Sequence, residues 1–424
     1  MNTVIDKSKH PCFNEDVKGI CGRVHLPVAP KCNIKCNYCD RRYDCVNESR
    51  PGVTTAVLRP EQAVGYLDAV LSENSDITVV GIAGPGDPLA NPEETFATLR
   101  AIREEHPEML FCLSTNGLAL PAHVKDLVEL GVSHVTVTVN AVDPTIGAKV
   151  YGWVRDGKVI HRGEAAARLM WERHSEGISA LKEAGVIVKV NTILIPTVND
   201  RHIEAIAKEL QTLGVDVLNV MALVPNAGTP FGELPEPGHE DLRAVRSVAE
   251  EYLPQMKHCQ RCRADAVGLL GQDQSEKFGA ILTAFSSDLG LDISRPYVAV
   301  ATREGLLVNQ HLGEADSFQI WAKEGGEFKL VETRQAPDRG DGVDRWRSLG
   351  KLLSDCRAVL VSGFGEAPNA VLTSMKVPPI EVSGFISMAL EPIFEGKGLE
   401  QLKKRRSPGC SKGFGCGGDG GGCG

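Results

Sequence analysis

Residues 24–39 read Val-His-Leu-Pro-Val-Ala-Pro-Lys-Cys-Asn-Ile-Lys-Cys-Asn-Tyr-Cys, and the fold can be worked out from this stretch. Its first five residues form a short apolar run, which predicts a β-strand. Cys32, Cys36 and Cys39 follow on the loop that leaves this strand. Three thiols directly after a first strand indicate that the chemistry of the protein lies at the carboxyl end of that strand.

From residue 23 onward, short apolar runs alternate with amphipathic helical patterns. The apolar runs are residues 24–28, 77–82, 109–113, 134–139, 186–195 and 215–224. Strands that alternate with helices predict a parallel sheet made of right-handed βαβ units. Six units predict an α/β fold, either an open sheet or a partial (β/α)6 TIM-like barrel. In both cases ligands bind at the carboxyl ends of the strands.

Local signals mark several helix ends. Asn91 is predicted to be the N-cap of a helix with Pro92 at its first position and Glu94 completing a capping box. Gly131 and Gly185 stand where helices are expected to end. Residues 141–171 break the strand–helix rhythm, which predicts an insertion over the site.

The chain divides into five predicted segments. They are an N-terminal arm (1–22), the barrel domain (23–272), a linker (273–294), a second α/β unit (295–402) and a tail (403–424). The second unit has predicted strands near 297–302, 317–322, 328–332 and 358–361, and helices after Gly342 and Pro368. Residues 405–424 contain nine glycines and three cysteines, a composition that cannot bury a core, so the tail is predicted to be flexible unless a metal orders it.

The overall composition excludes several classes of protein. The 424 residues are 42% hydrophobic and 24% charged, the balance of a soluble globular protein. The net charge of −9 argues against a nucleic-acid surface. No apolar stretch reaches the roughly 18 residues of a membrane span, and residues 1–10 have no apolar core of a signal peptide. We therefore expect a cytoplasmic protein.

The 13 cysteines fall into groups. The groups are Cys12, Cys21, Cys32, Cys36, Cys39 and Cys45; Cys259 and Cys262; and Cys410, Cys416 and Cys423, with Cys112 and Cys356 alone. In a reducing compartment such groups bind metal or perform redox chemistry more often than they form disulfides.

Cys32, Cys36 and Cys39 are spaced to bind three corners of a 4Fe–4S cluster. No cysteine follows at once for the fourth corner, so one iron stays open to an exogenous ligand. With Tyr38 before the last cysteine, the run resembles the signature of radical S-adenosylmethionine (SAM) proteins. That resemblance implies that the open iron chelates SAM, which one electron cleaves to a 5′-deoxyadenosyl radical. The alternative, a structural zinc knuckle, needs a fourth protein ligand.

Polar and glycine residues follow the later strands. In Gly84-Pro85-Gly86-Asp87 the glycines let the backbone approach a small ligand, and Asp87 is expected to accept a bond from an ammonium group. This turn occupies the position of the family's motif for the SAM amino group, although Gly-Gly-Glu is commoner there. Ser114, Asn116 and Asn140 are further predicted contacts to SAM.

Longer motifs resemble those of the NifB family, radical SAM proteins of nitrogenase cofactor biosynthesis. The motifs are residues 10–12 (His-Pro-Cys), 22–25 (Gly-Arg-Val-His), the three-cysteine run, 42–45 (Arg-Tyr-Asp-Cys), 47–52 (Asn-Glu-Ser-Arg-Pro-Gly) and 259–268 (Cys-Gln-Arg-Cys-Arg-Ala-Asp-Ala-Val-Gly). Residues 295–400 resemble the NifX-like nitrogenase cofactor-binding domain, which has a ribonuclease H-like α/β fold. The resemblance spans nearly the whole chain.

The resemblance implies a reaction that the residues alone do not show. Two accessory 4Fe–4S clusters are fused, with a carbon from the SAM methyl group and a ninth sulfur, into an 8Fe–9S–C precursor of the iron–molybdenum cofactor. One SAM donates a methyl group to a cluster sulfide, and a second yields the radical that removes a hydrogen from it. The implied partners are NifEN-type scaffolds, NifX-type carriers, iron–sulfur cluster donors and a reductant.

The resemblance also supports two ligand sets for the accessory clusters. The first set is Cys12, Cys259 and Cys262. The second set is His25, Cys45 and Cys112. A mixed set suits a donor cluster, because neutral imidazole is a weaker and protonatable ligand. His25 is predicted to be the ligand rather than His10, whose ring could cap the turn before Cys12.

Two other functions compete with that of a cofactor synthase. An iron–sulfur scaffold or carrier would have no use for SAM, and a different radical SAM enzyme with accessory clusters would have no use for a carrier-like domain.

Cys21 and Cys356 lack partners at ligand spacing and are expected to be small buried hydrophobes. His311, alone in a polar loop, is expected at the surface. No role is assigned to His106, His123, His161, His174 and His202.

Overall fold

The computed structural model describes residues 6–45, 54, 56–286, 291–292, 294–338 and 342–395. The motif at 47–52 and the tail at 403–424, with Cys410, Cys416 and Cys423, lie outside the described residues. The chain forms two compact units, which divide between residues 286 and 287. No helix in the described ranges is both long and apolar enough to cross a membrane.

The first unit contains eleven described strands and eight described α-helices. The strands are β1 (Gly22–His25), β2 (Ile34–Cys36), β3 (Ile77–Ile82), β4 (Leu110–Thr115), β5 (Val132–Thr138), β6 (Tyr151–Asp156), β7 (Val159–His161), β8 (Ile187–Leu194), β9 (Val217–Ala222), β10 (Val267–Leu269) and β11 (Gln272–Asp273). The helices are α1 (Pro60–Glu73), α2 (Pro92–Glu105), α3 (Leu120–Glu129), α4 (Pro144–Val150), α5 (Gly163–Glu183), α6 (Ile203–Thr212), α7 (His239–Glu250) and α8 (Ser275–Ser286).

Six parallel strands form the half-barrel that the sequence predicts. They lie side by side in the order β1-β3-β4-β5-β8-β9, and the antiparallel pair β10-β11 extends the sheet beyond β1. Apolar side chains of α1, such as Tyr66, Leu67 and Val70, pack on the sheet in one core. The predicted fold class is therefore confirmed, and the carboxyl ends of all six strands meet at one end of the half-barrel.

The predicted insertion at 141–171 lies against the loop with the three cysteines. It contains α4, β6, β7 and the start of α5, and β6 pairs with β2 so that Cys36 lies opposite Tyr151. Gly131 and Gly185 follow α3 and α5 with φ values of 76° and 73°, as expected for helix C-termini.

The predicted linker at 273–294 differs from the structure, because its first half is helix α8. Phe278 and Leu282 are fully buried, and the ring of Phe285 lies 6.3 Å from that of Tyr66 on α1. Gly65 makes room for this ring, since a Cβ there would lie 2.7 Å from it. The spacing of Phe278, Leu282 and Phe285 matches one helical face, a pattern that a linker does not need.

The second unit is a mixed α/β domain. Its strands are β12 (Tyr297–Val300), β13 (Leu307–Val308), β14 (Ser317–Glu324), β15 (Glu327–Gln335), β16 (Cys356–Val361), β17 (Pro379–Glu381) and β18 (Gly384–Phe385). Its helices are α9 (Val343–Leu352), α10 (Glu366–Ser374) and α11 (Ile386–Glu395). The main sheet has the order β15-β14-β12-β16-β17. The predicted α/β class is confirmed, and β17 and α11 were not predicted.

The position of α8 decides where the chain can be shortened. A chain that ends at Ser286 is expected to keep the melting temperature of the first unit. A chain that ends at Gln274 loses Phe278 and Leu282, each worth roughly 1.5–3 kcal/mol when fully buried, and is expected to melt well below it. Thermal unfolding followed by circular dichroism checks both chains. Equal melting temperatures would show that α8 contributes nothing to the unit.

Candidate active site

The three cysteines of the predicted cluster line a single cavity at the carboxyl ends of the strands. Cys36 ends β2, which pairs with the insertion, and the Cys39 amide donates a hydrogen bond to the Cys36 carbonyl oxygen at 3.1 Å. The Lys35 ammonium group also donates to the Cys39 carbonyl oxygen. The loop that carries the three thiols is therefore held by its own backbone and by the insertion.

Burial governs the protonation of these thiols. It raises the pKa of Cys32 to about 11, with the nearby Asp87 carboxylate adding to the effect, and it also raises the pKa of Cys36 and of Cys39. Neutral thiols release protons when a metal binds, since the thiolate is the ligand form. Three sulfurs that line one cavity are a donor set of the kind that binds an iron–sulfur cluster.

The turn at residues 84–87 lies directly along the start of the cysteine loop. The Gly86 amide donates to the Ala29 carbonyl oxygen at 2.7 Å, and the Asp87 amide donates to the Lys31 carbonyl oxygen at 2.8 Å. A Cβ on Gly86 would overlap the Lys31 carbonyl oxygen and lie 2.8 Å from that of Ala29. Gly84 has a φ of 143°, which glycine tolerates best. Both glycines are therefore required by the backbone.

Asp87 is buried at the site, but its carboxylate is already occupied by hydrogen bonds. Oδ1 accepts from the Leu89 and Ala90 amides at 2.9 and 3.2 Å, and Oδ2 accepts from the Asn116 amide at 2.6 Å. The Thr115 hydroxyl donates to the same carboxylate at 3.0 Å. Asp87 thereby joins the loops after β3 and β4, and its predicted bond to the SAM ammonium group stays a prediction.

Asn91 takes part in the site in a way that the sequence did not reveal. It occupies the N-cap position of α2 with Pro92 at the first helical position, yet its side chain makes no capping hydrogen bond. Its Nδ2 donates to the carbonyl oxygens of Lys31 and Asp87 at 2.9 and 2.7 Å, and its Oδ1 accepts from the Lys31 amide at 3.1 Å. The predicted capping box is therefore wrong, because the amide bridges two loops.

Ser114 and Asn116 both line the cavity. The Asn116 side chain donates to Asn33 Oδ1 at 2.7 Å and lies 3.7 Å from the Cys32 sulfur, so it is largely occupied in bracing the cysteine loop. His174, to which no role was assigned, contacts the Asn116 carbonyl oxygen at 2.8 Å. The Ser114 hydroxyl is buried and has no hydrogen-bond partner among the described residues, as expected for a group that contacts a ligand.

Asn140 does not line the cavity with the three cysteines among the described residues. Its Nδ2 donates to the Tyr38 hydroxyl at 2.7 Å, and its Oδ1 accepts from the Ile193 amide at 2.8 Å. A hydrogen bond from Tyr38 lowers the pKa of Cys36 against the larger effect of burial. Asn140 thereby positions Tyr38, and its predicted contact to SAM stays a prediction.

A second cavity fills the interior of the half-barrel next to the first. Ala83 and Ser114 line both cavities. Five of the six predicted accessory ligands line the second cavity, namely Cys12, His25, Cys112, Cys259 and Cys262. Cys45 lines the cavity of the three cysteines instead. The predicted set of His25, Cys45 and Cys112 is thus divided between adjoining cavities.

The ring of His25 lines the interior cavity and is held by the backbone. Its Nδ1 lies 2.8 Å from the Arg263 carbonyl oxygen, so Nδ1 must carry the proton and Nε2 the lone pair. Burial, together with the charge of Arg23, lowers the pKa of the ring to about 4 and keeps it neutral. Gly81 makes room for the ring, since a Cβ there would lie 2.7 Å from His25 Cδ2. Metal-binding histidines commonly donate their other N–H in this way.

His10 has the opposite arrangement. Its Nδ1 accepts from the Cys12 amide at 3.2 Å, so it caps that turn as predicted. Burial lowers the pKa of the ring well below its usual value. The neutral ring then carries its proton on Nε2, which is buried without a hydrogen-bond partner among the described residues. His10 is therefore poorly suited to bind a metal without giving up the cap.

The N-terminal arm crosses the amino-terminal end of the half-barrel. The Lys7 ammonium group donates to the Gly185 carbonyl oxygen before β8, and Thr78 at the start of β3 donates to the Lys9 carbonyl oxygen, at 3.0 and 3.1 Å. His258 lies 3.0 Å from the Pro11 carbonyl oxygen. These contacts hold Cys12 at the interior cavity. Pro11 and His258, which are in contact there, are 247 positions apart in the sequence.

Arg23 contacts one of the predicted ligands directly. Its guanidinium group donates to the Cys262 sulfur through Nε and Nη2 at 3.3 and 3.1 Å. It also donates to the carbonyl oxygens of Gly268 and Leu269, and only 1% of the residue is exposed. A buried guanidinium group stabilises a thiolate by charge and by hydrogen bonding.

The residues expected to be structural are placed accordingly. Cys21 and Cys356 are buried, and His311 is exposed, with its Nδ1 accepting from the Gly313 amide. His202, like His174, was assigned no role but makes structural contacts, because its Nε2 accepts from the Val142 and Asp143 amides at 3.1 and 3.3 Å. It thereby holds the turn after β5.

Comparisons with known proteins show which proteins the chain is similar to. Residues 26–210 match the Radical SAM superfamily, and residues 295–396 match the Dinitrogenase iron-molybdenum cofactor family. The FeMo cofactor biosynthesis protein NifB of Chlorobaculum tepidum is 48% identical, over 98% of both chains. That of Klebsiella pneumoniae is 40% identical, over 89% of this chain and 88% of its own. The crystal structure of Streptococcus suis SuiB bound to S-adenosylmethionine is 16% identical, with a TM-score of 0.41 over 55% of this chain and 50% of that one.

Gly86 offers a test of the close contact between the turn and the cysteine loop. The change Gly86→Ala forces a Cβ into the Lys31 carbonyl oxygen, which we expect to lower stability by about 1–3 kcal/mol, as other overpacking changes do. SAM binding is expected to weaken as well. Calorimetry and thermal unfolding measure both effects. Gly19→Ala is the control, because its Cβ meets no atom within 4 Å. Equal behaviour of the two variants would contradict the contact.

The two histidines make a second test. His25→Ala is expected to lower the iron content while SAM still binds, because it removes a predicted ligand from the lining of the interior cavity. His10→Ala is expected to have a milder effect, since it removes a turn cap worth about 1 kcal/mol. Iron analysis of the anaerobically reconstituted proteins compares the two. Loss of iron from His10→Ala alone would reverse the assignment.

Proposed function

We propose, because the chain belongs to the NifB family of radical SAM proteins, that it is the enzyme that builds the iron–sulfur core of the FeMo cofactor. In this proposal it fuses two 4Fe–4S clusters, inserts a carbon from SAM and adds a ninth sulfur to give the 8Fe–9S–C precursor. The radical SAM family implies a 4Fe–4S cluster and SAM as cofactors. The two accessory clusters are the substrates.

The observation that carries the proposal is the pair of adjoining cavities. One contains the three closely spaced cysteines, and the other contains most of the remaining thiols and a neutral histidine. Ala83 and the unpartnered hydroxyl of Ser114 lie at their junction. This arrangement suits a reaction in which a group generated in one cavity acts on a substrate held in the other. A simple cluster carrier does not need the first cavity.

Cys32, Cys36 and Cys39 would hold the 4Fe–4S cluster, which together with bound SAM supplies a 5′-deoxyadenosyl radical. Asp87 and Asn91 keep the turn at 84–87 against the cysteine loop, so that its backbone borders the SAM site. We propose Gly84, Gly86, Ser114 and Asn116 as the groups around SAM. Asn140 acts more indirectly, through Tyr38 on Cys36.

Cys12, Cys259 and Cys262 would bind one substrate cluster, and His25 with Cys112 and Cys45 would bind the other. Ligands that come from the arm, from β1, from β4 and from the segment after β9 surround the interior cavity. A neutral imidazole is a weaker ligand than a thiolate, so the cluster at His25 is the one that can leave its ligands more easily. That property suits a substrate that must be released as part of a larger product.

The second unit matches a nitrogenase cofactor family and would hold the finished product. Its expected partners are scaffold proteins of the NifEN type, carriers of the NifX type, cluster donors and a reductant. A cytoplasmic location suits this role, because free thiols persist in a reducing compartment.

Two cysteine changes separate the proposed cavities. Cys36→Ala is expected to abolish 5′-deoxyadenosine formation and to keep the accessory clusters. Cys259→Ala is expected to keep SAM cleavage and lose about one cluster's iron, because each change removes a ligand from a different cavity. Iron and sulfide analysis, electron paramagnetic resonance and product chromatography measure these quantities.

Cys21→Ala is the matched control, since this thiol is buried outside the two cavities as described. It should keep both the clusters and the cleavage. Intact 5′-deoxyadenosine formation by Cys36→Ala would refute the role of the three cysteines.

A further inference from the structure

A cleft on the surface of the first unit adjoins the cavity of the three cysteines. Cys32 and Arg41 line both the cavity and the cleft, so these side chains separate the two. The cleft has a volume of about 560 Å³, and its other charged lining residues are Lys31, Arg155 and Asp156. We call it the outer cleft. The functional residues described so far give it no role.

The outer cleft is cationic, although the whole chain has a net charge of −9. All three of its cationic residues are exposed. Asp156, the acidic residue in the described lining, already pairs with Arg173 at 3.2 Å. Lys31 lies 3.9 Å from the carboxylate of Glu94, at the limit of an ion pair, and 71% of its side chain is exposed. The cleft therefore keeps a net positive charge, which attracts an anionic partner.

The positive charge of the outer cleft reaches the thiols behind it. Burial raises the pKa of Cys32 and of Cys39, and the charge of the Arg41 guanidinium group opposes this rise at both thiols. Arg41 is held by a hydrogen bond that its Nη2 donates to the Pro30 carbonyl oxygen at 2.5 Å. A partner that binds in the outer cleft is thus within electrostatic reach of the three cysteines.

A hairpin with exposed apolar side chains borders the outer cleft. In the pairing of β6 with β7, Arg155 is opposite Ile160, so the two side chains share one face of the hairpin. Ile160 and Val159 are 48% and 57% exposed, and Lys158 beside them is also exposed. We call residues 155–160 the hairpin tip. A small anion gains nothing from covering apolar surface, whereas a protein partner does, so the hairpin tip favours a protein.

We infer that the outer cleft and the hairpin tip dock a small acidic protein that carries one electron and delivers it to the cluster at the three cysteines. This inference rests on the proposed function, in which cleavage of SAM needs an electron. The carrier is oxidised by one electron, which reduces the cluster, and no atom or proton is transferred. Complementary charges orient such a partner and speed its encounter with the chain. Because Cys32 lines both the cleft and the cavity, the electron enters at that ligand.

The test uses the full chain with its clusters reconstituted, and a reduced, acidic 2Fe–2S ferredoxin as the probe. Arg155→Glu reverses an exposed charge that lines neither cavity as described. We expect its affinity for the ferredoxin, measured by calorimetry, to fall about tenfold at low ionic strength. The rate of cluster reduction, measured by stopped-flow absorbance, should fall with it. Arg155→Lys should stay near the parent chain, and rising salt should bring parent and Arg155→Glu together.

Excess dithionite separates docking from the later steps, because this small reductant needs no docking surface. With dithionite, Arg155→Glu should form 5′-deoxyadenosine as the parent chain does. Arg243→Glu is the matched control, because Arg243 is exposed on α7 and lines neither the two cavities nor the outer cleft as described. It should match the parent chain with both reductants.

Parent-like affinity and reduction rate in Arg155→Glu would overturn the inference, as would a parent chain that binds no ferredoxin at low ionic strength. An equal loss of binding in Arg243→Glu would show an effect of net charge alone and would also overturn it. If Arg155→Glu fails to fold, Ile160→Ser decides, since weaker ferredoxin binding is expected and parent-like binding overturns the inference. A parent chain that cleaves no SAM with dithionite would instead refute the proposed function.

Discussion

The buried carboxylate of Asp87 is the interaction on which the active end of the half-barrel depends. It accepts hydrogen bonds from the loop after β3 and from the loop after β4, and Asn91 links the same turn to the cysteine loop after β1. Burial raises the pKa of this carboxyl even though the hydrogen bonds lower it. A charged group with several donors is worth more than a neutral one, so three neighbouring loops are held together at one point. These hydrogen bonds help to fix the position of the loop that carries the three thiols.

The interior of the half-barrel is closed from the other end by the N-terminal arm. Contacts at Gly185, Thr78 and His258 hold the arm across the amino ends of the strands, and this position brings Cys12 to the interior cavity. The two cavities are consequently stacked along the barrel, with Ser114 between them. In the function that we propose, this stacking places the source of the radical above the substrate clusters.

Several residues that the sequence marked as ligand contacts also position other groups of the protein. The pattern of polar residues at strand ends located Asp87 and Asn140 near the site, because parallel strands must end together. It could not show that both side chains also form hydrogen bonds within the protein. The roles of Asn91 and His174 could not be predicted either. Both side chains bridge segments that are distant in sequence, and such a bridge produces no pattern among neighbouring residues.

The sequence by itself determined the fold class, the six parallel strands and the NifB family, because strand length, helical period and cysteine spacing are local properties that neighbouring residues share. Only the tertiary structure decided which thiols share a cavity, with Cys45 beside the three-cysteine set, and which polar side chains keep an unpaired atom, as Ser114 and Asn219 do among the described residues. These properties depend on distances between chain segments that are brought together by packing, and no local pattern in the chain encodes such distances.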